Sequence, residues 1–443
     1  MDISSIIPTI AAQLPKGQIP VYGDTPEARV FWMSLFVRGL KMNGRTARGL
    51  PYALMGDPGT AKTSIVGQLC RVAGIELHTI ISSLRTPSDF LGLPVPDSVP
   101  RSDANARLLN AGENYLTCVK YAPAADFMRA ATAKRSLVFF DEANCVQEDV
   151  MAAELRVVLE RMVGELHLGE NTRIALALND PRDTSGATEF SLAMSNRIAT
   201  IKWPVAGVPS WFAFMTGAQE APTTHVVQVG ANSSINVLDA EVQEGLVDYL
   251  WSRAYASALG AVSAFLNRNT PAFHRKPASP AEAVNGWASG RSWTFFTHAL
   301  AGCLLYGFAP SSAEFRIALS GVVGEGGFKE FLTYSSSLDL PSPVDVLEGR
   351  VVFTHNPARL DRSSAIISSC TALVLSTPDK QTWLDKLWEI IDAFTANQST
   401  PDLVVESVRL LNAANRFGAQ GATMRTMSKL GQISQATGIK IVE

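Results

Sequence analysis

The chain has 443 residues, 47% hydrophobic and 18% charged, with 38 Lys plus Arg against 41 Asp plus Glu and a net charge of −3. That composition excludes a disordered chain and supplies the apolar material for a large core, about three domains by length. The charge balance carries no basic excess that would advertise nucleic acid, although it leaves room for a local basic pore. The five cysteines, Cys70, Cys118, Cys145, Cys303 and Cys370, are scattered and form no C-x-x-C pair. A disulfide framework or zinc site is therefore not expected, and a reducing cytoplasm fits. The amino-terminal Met1-Asp2-Ile3-Ser4-Ser5 lacks the basic and apolar regions of a signal peptide. No run of about 18 apolar residues marks a membrane span.

Residues 1–50 read as a helical segment. Val30, Phe31, Met33, Leu35, Phe36, Val37 and Leu40 predict a mostly apolar helix from Arg29 to Met42. From 51 to about 202 strands and helices alternate, the signature of a parallel sheet with crossover helices. The expected strands are 51–55, 75–81, 136–140, 173–178 and 199–202, with helices over 62–73, 123–133 and 147–162.

The first landmark is Gly56-Asp57-Pro58-Gly59-Thr60-Ala61-Lys62-Thr63-Ser64, between the apolar run Tyr52–Met55 and a helix beginning at Lys62. A glycine-rich turn closed by Lys-Thr presents backbone N–H groups and a helix amino terminus to phosphates. Lys62 would reach the β- and γ-phosphates and the Thr63 hydroxyl would sit on Mg²⁺. Ala61 stands where the pattern expects a second glycine, which is tolerable if its φ is negative.

Residues 93–122, with Pro94, Pro96, Pro100 and Gly112, read as an inserted loop or hairpin. Its basic residues Arg101, Arg107 and Lys120 have Asp103 and Glu113 among them, a poor nucleic-acid signal. The second landmark, Leu137-Val138-Phe139-Phe140-Asp141-Glu142, is a buried strand ending in two carboxylates at the edge where parallel sheets bind ligands. Asp141 would hold Mg²⁺, and Glu142 would act as general base on the attacking water. The third is Ile174–Leu178 ending in Asn179, which either orients that water or makes an ordinary turn. The last is Arg197, before the fifth strand. Arg197 is either a solvated cation or a group reaching a neighbouring subunit's nucleotide. The six histidines show no metal-ligand spacing.

The ordered set Gly56…Lys62-Thr63, Ser88-Asp89-Phe90-Leu91-Gly92, Asp141-Glu142-Ala143-Asn144, Asn179 and Asn196-Arg197 resembles the AAA+ ATPases, and within them the MoxR and dynein-related branch. Members of that branch also have a helix ending like Leu159-Glu160-Arg161 and a small hairpin before the next strand, here about 164–173. The resemblance covers roughly residues 50–300 and departs from the family at Ala61 and at Ile198, where an aromatic often follows the arginine. It implies an α/β AAA+ core over 51–204, an α-helical lid over 205–305 with helices near 208–216, 240–266 and 280–305, and a helical extension over 306–443. It implies Lys62 and Thr63 as Walker A, Asp141 and Glu142 as Walker B, Asn179 as sensor 1, Arg197 as an arginine finger acting in trans, and Arg291 as sensor 2. Ile19–Gly23 would line the adenine pocket or form a packing strand. It further implies ATP and Mg²⁺ as ligands, a ring, most simply a homohexamer, and a chaperone-like action on a protein target, with a von Willebrand factor A domain protein as a possible partner. A nucleic-acid motor and a slowly turning nucleotide-gated scaffold are the alternatives. Beyond the lid, Gly324-Glu325-Gly326-Gly327 reads as a turn. Trp383, Leu384, Leu387, Trp388 and Ile391 form a helical stripe for core or partner, as do Leu403, Val404, Ser407, Val408 and Leu411.

Overall fold

The computed structural model describes every residue except 1–2, 15–17, 43–44, 101, 103–113, 181–187, 189–191, 206, 209–211, 213–214, 217–224, 231–232, 338–339, 357, 397–401 and 438–443. Arg101, Asp103, Arg107 and Glu113 of the insert, and most of the expected helix 208–216, lie outside the described residues. The chain divides into two compact units, one of residues 20–244 and 278–286, the other of 1–19, 245–277 and 287–443.

The first unit is built on five parallel strands: β1 (Tyr52–Met55), β2 (Glu76–Ile81), β3 (Ser136–Asp141), β4 (Thr172–Leu178) and β5 (Ala199–Lys202), in the spatial order β5-β1-β4-β3-β2. β1 and β4 are buried along their whole length, and β3 along all but its last residue. This is why they read as near-continuous apolar runs rather than alternating ones. The register pairs Leu178 with Met55, Leu176 with Phe140, and Ile81 with Asp141. The carboxyl ends of β1 to β4 therefore open at one edge. A glycine-rich turn from β1 leads directly into the helix Lys62–Ala73, which Gly74 ends at φ +72°. This is the α/β core of a P-loop NTPase, followed in the chain by a helical extension.

The segment Ser88–Gly92 has a structural account. Thr86 and Asp89 form a capping box for the short helix Pro87–Leu91. Phe90 packs with Phe127 and Phe140 at ring-centroid distances of 6.1 and 5.9 Å. Gly92, at φ +87°, turns the chain into the antiparallel hairpin of Leu93–Pro100 and Tyr115–Ala122, so the insert is a hairpin. Within those strands Lys120 pairs with Asp97. A second, two-residue hairpin joins Met162–Val163 to Leu166–His167. A Cβ on its Gly164 would meet the Tyr121 carbonyl oxygen at 2.5 Å, so the two hairpins touch.

One expected helix is shorter than its apolar content suggests. It spans Pro26–Phe36, capped by Thr25, and the chain then pairs Arg38–Met42 with Arg45–Arg48 as antiparallel strands. Gly39 lies where a Cβ would meet the carbonyl oxygens of Gly49 and Ala47 at 2.5 and 2.7 Å, a backbone approach that glycine permits. At the other edge of the sheet Arg173, 1% exposed, donates to Glu244, to the Leu35 carbonyl at 2.7 Å and to the Asn171 carbonyl at 2.9 Å.

Among its described residues the second unit has helices and no strand. Its larger helices are residues 245–268 of Ala240–Arg268, Gly290–Tyr306, Ala313–Ser335, Leu360–Ser376, Gln381–Ala396, Asp402–Ala413 and Gln420–Thr437. The expected helix 280–305 is two, Pro280–Ala283 and Gly290–Tyr306, the latter started by a Ser289–Ser292 capping box. Gly324–Gly327 is not a turn. Only Gly324 leaves helical geometry, at φ +80°, and makes a kink inside Ala313–Ser335. Trp293, Phe295 and Phe296 are core, and so are Leu384, Leu387, Trp388, Ile391, Val404, Val408 and Leu411. The described side chains of both stripes thus pack inside the unit. No helix among the described residues is long and apolar enough to cross a membrane.

Candidate nucleotide site

Gly56 begins the turn after β1, its N–H donating to the Leu178 carbonyl at 3.2 Å. A Cβ there would meet the Trp203 carbonyl oxygen at 2.6 Å, so the position requires glycine. Trp203, directly after β5, donates its N–H to Met55 at 2.6 Å and its indole Nε1 to the Thr60 carbonyl at 3.2 Å. The tryptophan braces the loop at both ends. Within the loop the Thr60 hydroxyl donates to the Asp57 carbonyl at 2.8 Å, and Gly59 takes φ +77°.

Ala61 departs from expectation. Its φ is +62° and its ψ +21°, the left-handed region, and not the negative φ that would make an alanine easy there. The Ala61 carbonyl accepts from Ile65 N at 3.0 Å as the first helical bond, so the left-handed residue is the one at which the glycine-rich turn passes into the helix. Lys62 is 7% exposed and its Nζ donates to the Gly56 and Asp57 carbonyls at 2.8 and 2.9 Å. Burial lowers the Lys62 ammonium pKa, and the nearby Asp141 and Asp57 carboxylates oppose that.

Across the sheet edge the Thr63 hydroxyl donates to Asp141 Oδ2 at 2.5 Å. Asp141 Oδ1 accepts the Glu142 N–H at 3.0 Å. Glu142 is at φ +54°, and its Oε2 accepts from the Ser83 hydroxyl at 2.5 Å. Ser83 stands in the single 3₁₀ turn Ser82–Leu84 after β2. Asn179 follows β4, between the ends of β1 and β3. It is clamped by Asn144, whose Nδ2 donates to the Asn179 carbonyl at 2.8 Å and whose Oδ1 accepts the Asn179 N–H at 3.0 Å. The Asn179 amide nitrogen lies 3.2 Å from Cys145 Sγ. All five cysteines are free.

The structure thus brings Gly56, Asp57, Gly59, Thr60, Ala61, Lys62, Thr63, Asp141, Glu142 and Asn179 to one edge of the sheet, with Pro58 in the turn and Ser64 in the helix's first turn. Arg197 is elsewhere. It precedes β5, at the amino-terminal edge, and its Nη1 donates to the Ala193 carbonyl at 3.0 Å. Arg291 belongs to the other unit, exposed on the first turn of Gly290–Tyr306. Tyr22, in the segment proposed for adenine, accepts at its hydroxyl from Gln68 of the helix after the loop at 3.3 Å. Among the described residues no group of three or more His, Cys, Asp or Glu side chains could hold a metal. Magnesium with a nucleotide does not need one, because phosphates and water supply most of its ligands. The convergent Thr63 hydroxyl and Asp141 carboxylate fit that role.

Two supporting residues had no role in the sequence reading: Ser83 and Trp203 bind Glu142 and the loop, and each is set by strand order rather than by local spacing. Asn144 stood in the motif Asp141-Glu142-Ala143-Asn144 without a role of its own, and the structure gives it one, the clamp on Asn179.

No protein-family model and no curated protein matches the chain. Among solved structures it is similar to a "putative ATPase" from Cytophaga hutchinsonii ATCC 33406, at 14% identity and a TM-score of 0.35, over 69% of this chain and 86% of that one.

Proposed function

We propose that the chain is a magnesium-dependent ATPase of the AAA+ kind, MoxR-like, that works as a ring and remodels or activates a protein target. The observation that carries the catalytic part is the meeting of Thr63 and Asp141 at 2.5 Å, beside Glu142 and opposite a phosphate-binding turn. Thr63 and Asp141 would hold Mg²⁺, which when bound neutralises charge on the β- and γ-phosphates. Lys62 would exchange its two carbonyl partners for phosphate oxygens. Glu142 would take the proton from the attacking water, with Asn179 orienting that water. Arg197, at the far edge of its own sheet, would serve a neighbouring subunit's nucleotide, and Arg291 would sense the γ-phosphate from the lid. A von Willebrand factor A domain protein is the partner class to try first.

The test is ATP turnover with mass by light scattering, with and without ATP, for wild type, Glu142→Gln and Arg197→Ala. Wild type should hydrolyse ATP and assemble. Glu142→Gln should bind and assemble without turnover, and Arg197→Ala should bind without turnover. Normal turnover by Arg197→Ala removes the trans arginine. Wild type that binds but never hydrolyses, with partners or nucleic acid added, removes the motor.

A further inference from the structure

The hairpin of Leu93–Pro100 and Tyr115–Ala122 has two unlike edges. Its register pairs Pro94 with Tyr121, Pro96 with Val119, Ser98 with Thr117 and Pro100 with Tyr115. Proline has no N–H, so the ladder bonds run through the pairs between these: Val95 with Lys120, Asp97 with Cys118 and Val99 with Leu116. The backbone groups of the proline row, and of the residues opposite it, therefore point away from the ladder. Along Leu93–Pro100 three of those four outward positions have no donor, a device that stops a further strand from adding there. Along the other strand Tyr115, Thr117 and Val119 turn both N–H and C=O outward. Among the described residues no hydrogen bond from outside the hairpin reaches those groups. Gly164 lies against the Tyr121 carbonyl and closes that end, so the open edge runs from Tyr115 to Val119. None of its residues is charged. The face that it shares with the prolines is uncharged too: Tyr115 and Val119 are 63% and 55% exposed, while Lys120 stands on the opposite face, paired with Asp97.

We infer that the Tyr115–Val119 edge takes up an extended segment of a target polypeptide as an added β-strand. Backbone N–H and C=O groups repeating at the strand spacing are satisfied along their length only by another extended backbone. The uncharged face beside them favours a segment with apolar side chains at alternate positions, and the backbone bonds make the capture tolerant of its sequence. A second copy of this chain is the poorer fit, because two such short edges bury far less than the surface a stable dimer needs. The inference deepens the proposed action on a protein target and takes its class of partner from that reading. The binding itself needs neither nucleotide nor turnover.

The experiment is fluorescence anisotropy with the full chain, without nucleotide. The probe is a labelled peptide, Lys-Thr-Val-Thr-Val-Thr-Val-Lys, beside a copy with every Thr and Val amide nitrogen methylated. Wild type should bind the first and lose at least about tenfold on the second, whose side chains are the same. Thr117→Pro and Val119→Pro each remove an outward donor and no ladder bond, as Pro96 and Pro100 already do on the other strand. Each should weaken binding at least about tenfold. Ser98→Pro completes the proline row on the closed edge and should stay within about twofold of wild type. Amide exchange in wild type reads the same edge without a substitution: bound peptide should slow Thr117 and Val119 at least about tenfold and leave Ser98 unchanged. Equal binding by wild type and Thr117→Pro, equal binding of the methylated peptide, or no binding by wild type overturns the proposal. So does a mass by light scattering that is doubled in wild type and single in Thr117→Pro, which gives the edge to a second copy. Binding that meets these expectations in a protein that never hydrolyses ATP removes the motor and leaves the docking edge standing.

Discussion

Replacing Ala61 by glycine should stabilise the protein. The backbone at Ala61 is left-handed, φ +62° and ψ +21°. An L-residue with a Cβ pays roughly 1–2 kcal/mol to stand there, and glycine pays almost nothing. Against that, glycine widens the unfolded ensemble, which costs about 0.5–1 kcal/mol. The net gain is about 0.5–1 kcal/mol, or roughly 1–4 °C in the melting of a unit of this size. Valine makes the opposite test. Its branched Cβ is a true outlier at positive φ, so Ala61→Val should lose at least about 1 kcal/mol and weaken nucleotide binding, because the first helical bond from Ile65 N depends on that geometry. The assay is differential scanning calorimetry of the three proteins with and without Mg-ATP, reading the transition that shifts with nucleotide. A lower melting temperature for Ala61→Gly, together with no penalty for Ala61→Val, would refute a left-handed residue in the loop.

Three further outcomes follow from buried groups. Glu244→Ala leaves Arg173, 1% exposed, without its carboxylate and should cost about 3–5 kcal/mol; a loss under about 1 kcal/mol in urea unfolding contradicts the buried pair. Trp203→Phe removes the indole donor to the Thr60 carbonyl together with part of a buried ring, should cost at least about 1 kcal/mol and should weaken ATP binding several-fold by fluorescence titration; unchanged affinity means the brace is not used. Stability should also depend on pH through Glu154. Its folded-state pKa, raised from 4.5 to about 8, means that the unfolded chain loses this proton first as pH rises. Its contribution is therefore intact below pH 4.5, declines by about 1.4 kcal/mol per pH unit between 4.5 and 8, and is level above. Glu154→Gln should lack that decline, and parallel stability profiles for the two proteins would show that Glu154 is already ionised in the fold.

The elements that carry the chemistry are legible because their signals are short. Gly56…Lys62-Thr63 sits on one turn, and β3 and β4 each announce themselves as an apolar run with a polar residue at the end. All five strands lie within a residue of where the runs put them. The supports are not legible. Ser83 meets Glu142 because β2 lies beside β3, and Trp203 meets the loop because β5 lies beside β1. Neither adjacency is written in spacing along the chain. Leu40 misled for a different reason: an apolar residue after an apolar helix counts the same in a helix or a hairpin, and Gly39 with its close backbone contacts decides for the hairpin. Gly324–Gly327 misled because glycine-rich stretches favour turns only when packing does not hold them, and Val323, Gly327, Phe328 and Phe331 are all buried.

Glu142 presents a geometric problem that its conformation solves. Asp141 and Glu142 are adjacent, and adjacent side chains on an extended strand point to opposite faces. Yet Asp141 reaches Thr63 and Glu142 reaches Ser83 at the same edge of the sheet. The left-handed residue at Glu142, φ +54°, breaks the alternation and lets both carboxylates serve one site. A non-glycine residue in that region stores on the order of 1–3 kcal/mol, and here neighbouring bonds hold it: the Glu142 N–H to Asp141 Oδ1, and Ala143 N to the Ala177 carbonyl at 3.0 Å. Strain kept for chemistry should be recoverable when the chemistry is given up. Asparagine tolerates the left-handed region better than glutamate does, and its neutral carboxamide cannot act as the base. Glu142→Asn should therefore abolish turnover while raising stability by about 0.5–1 kcal/mol, measured by urea unfolding without nucleotide. Glu142→Gln, with the same strain as wild type, should abolish turnover with no such gain. If the two inactive variants are equally stable, the strain at Glu142 is not there to be released.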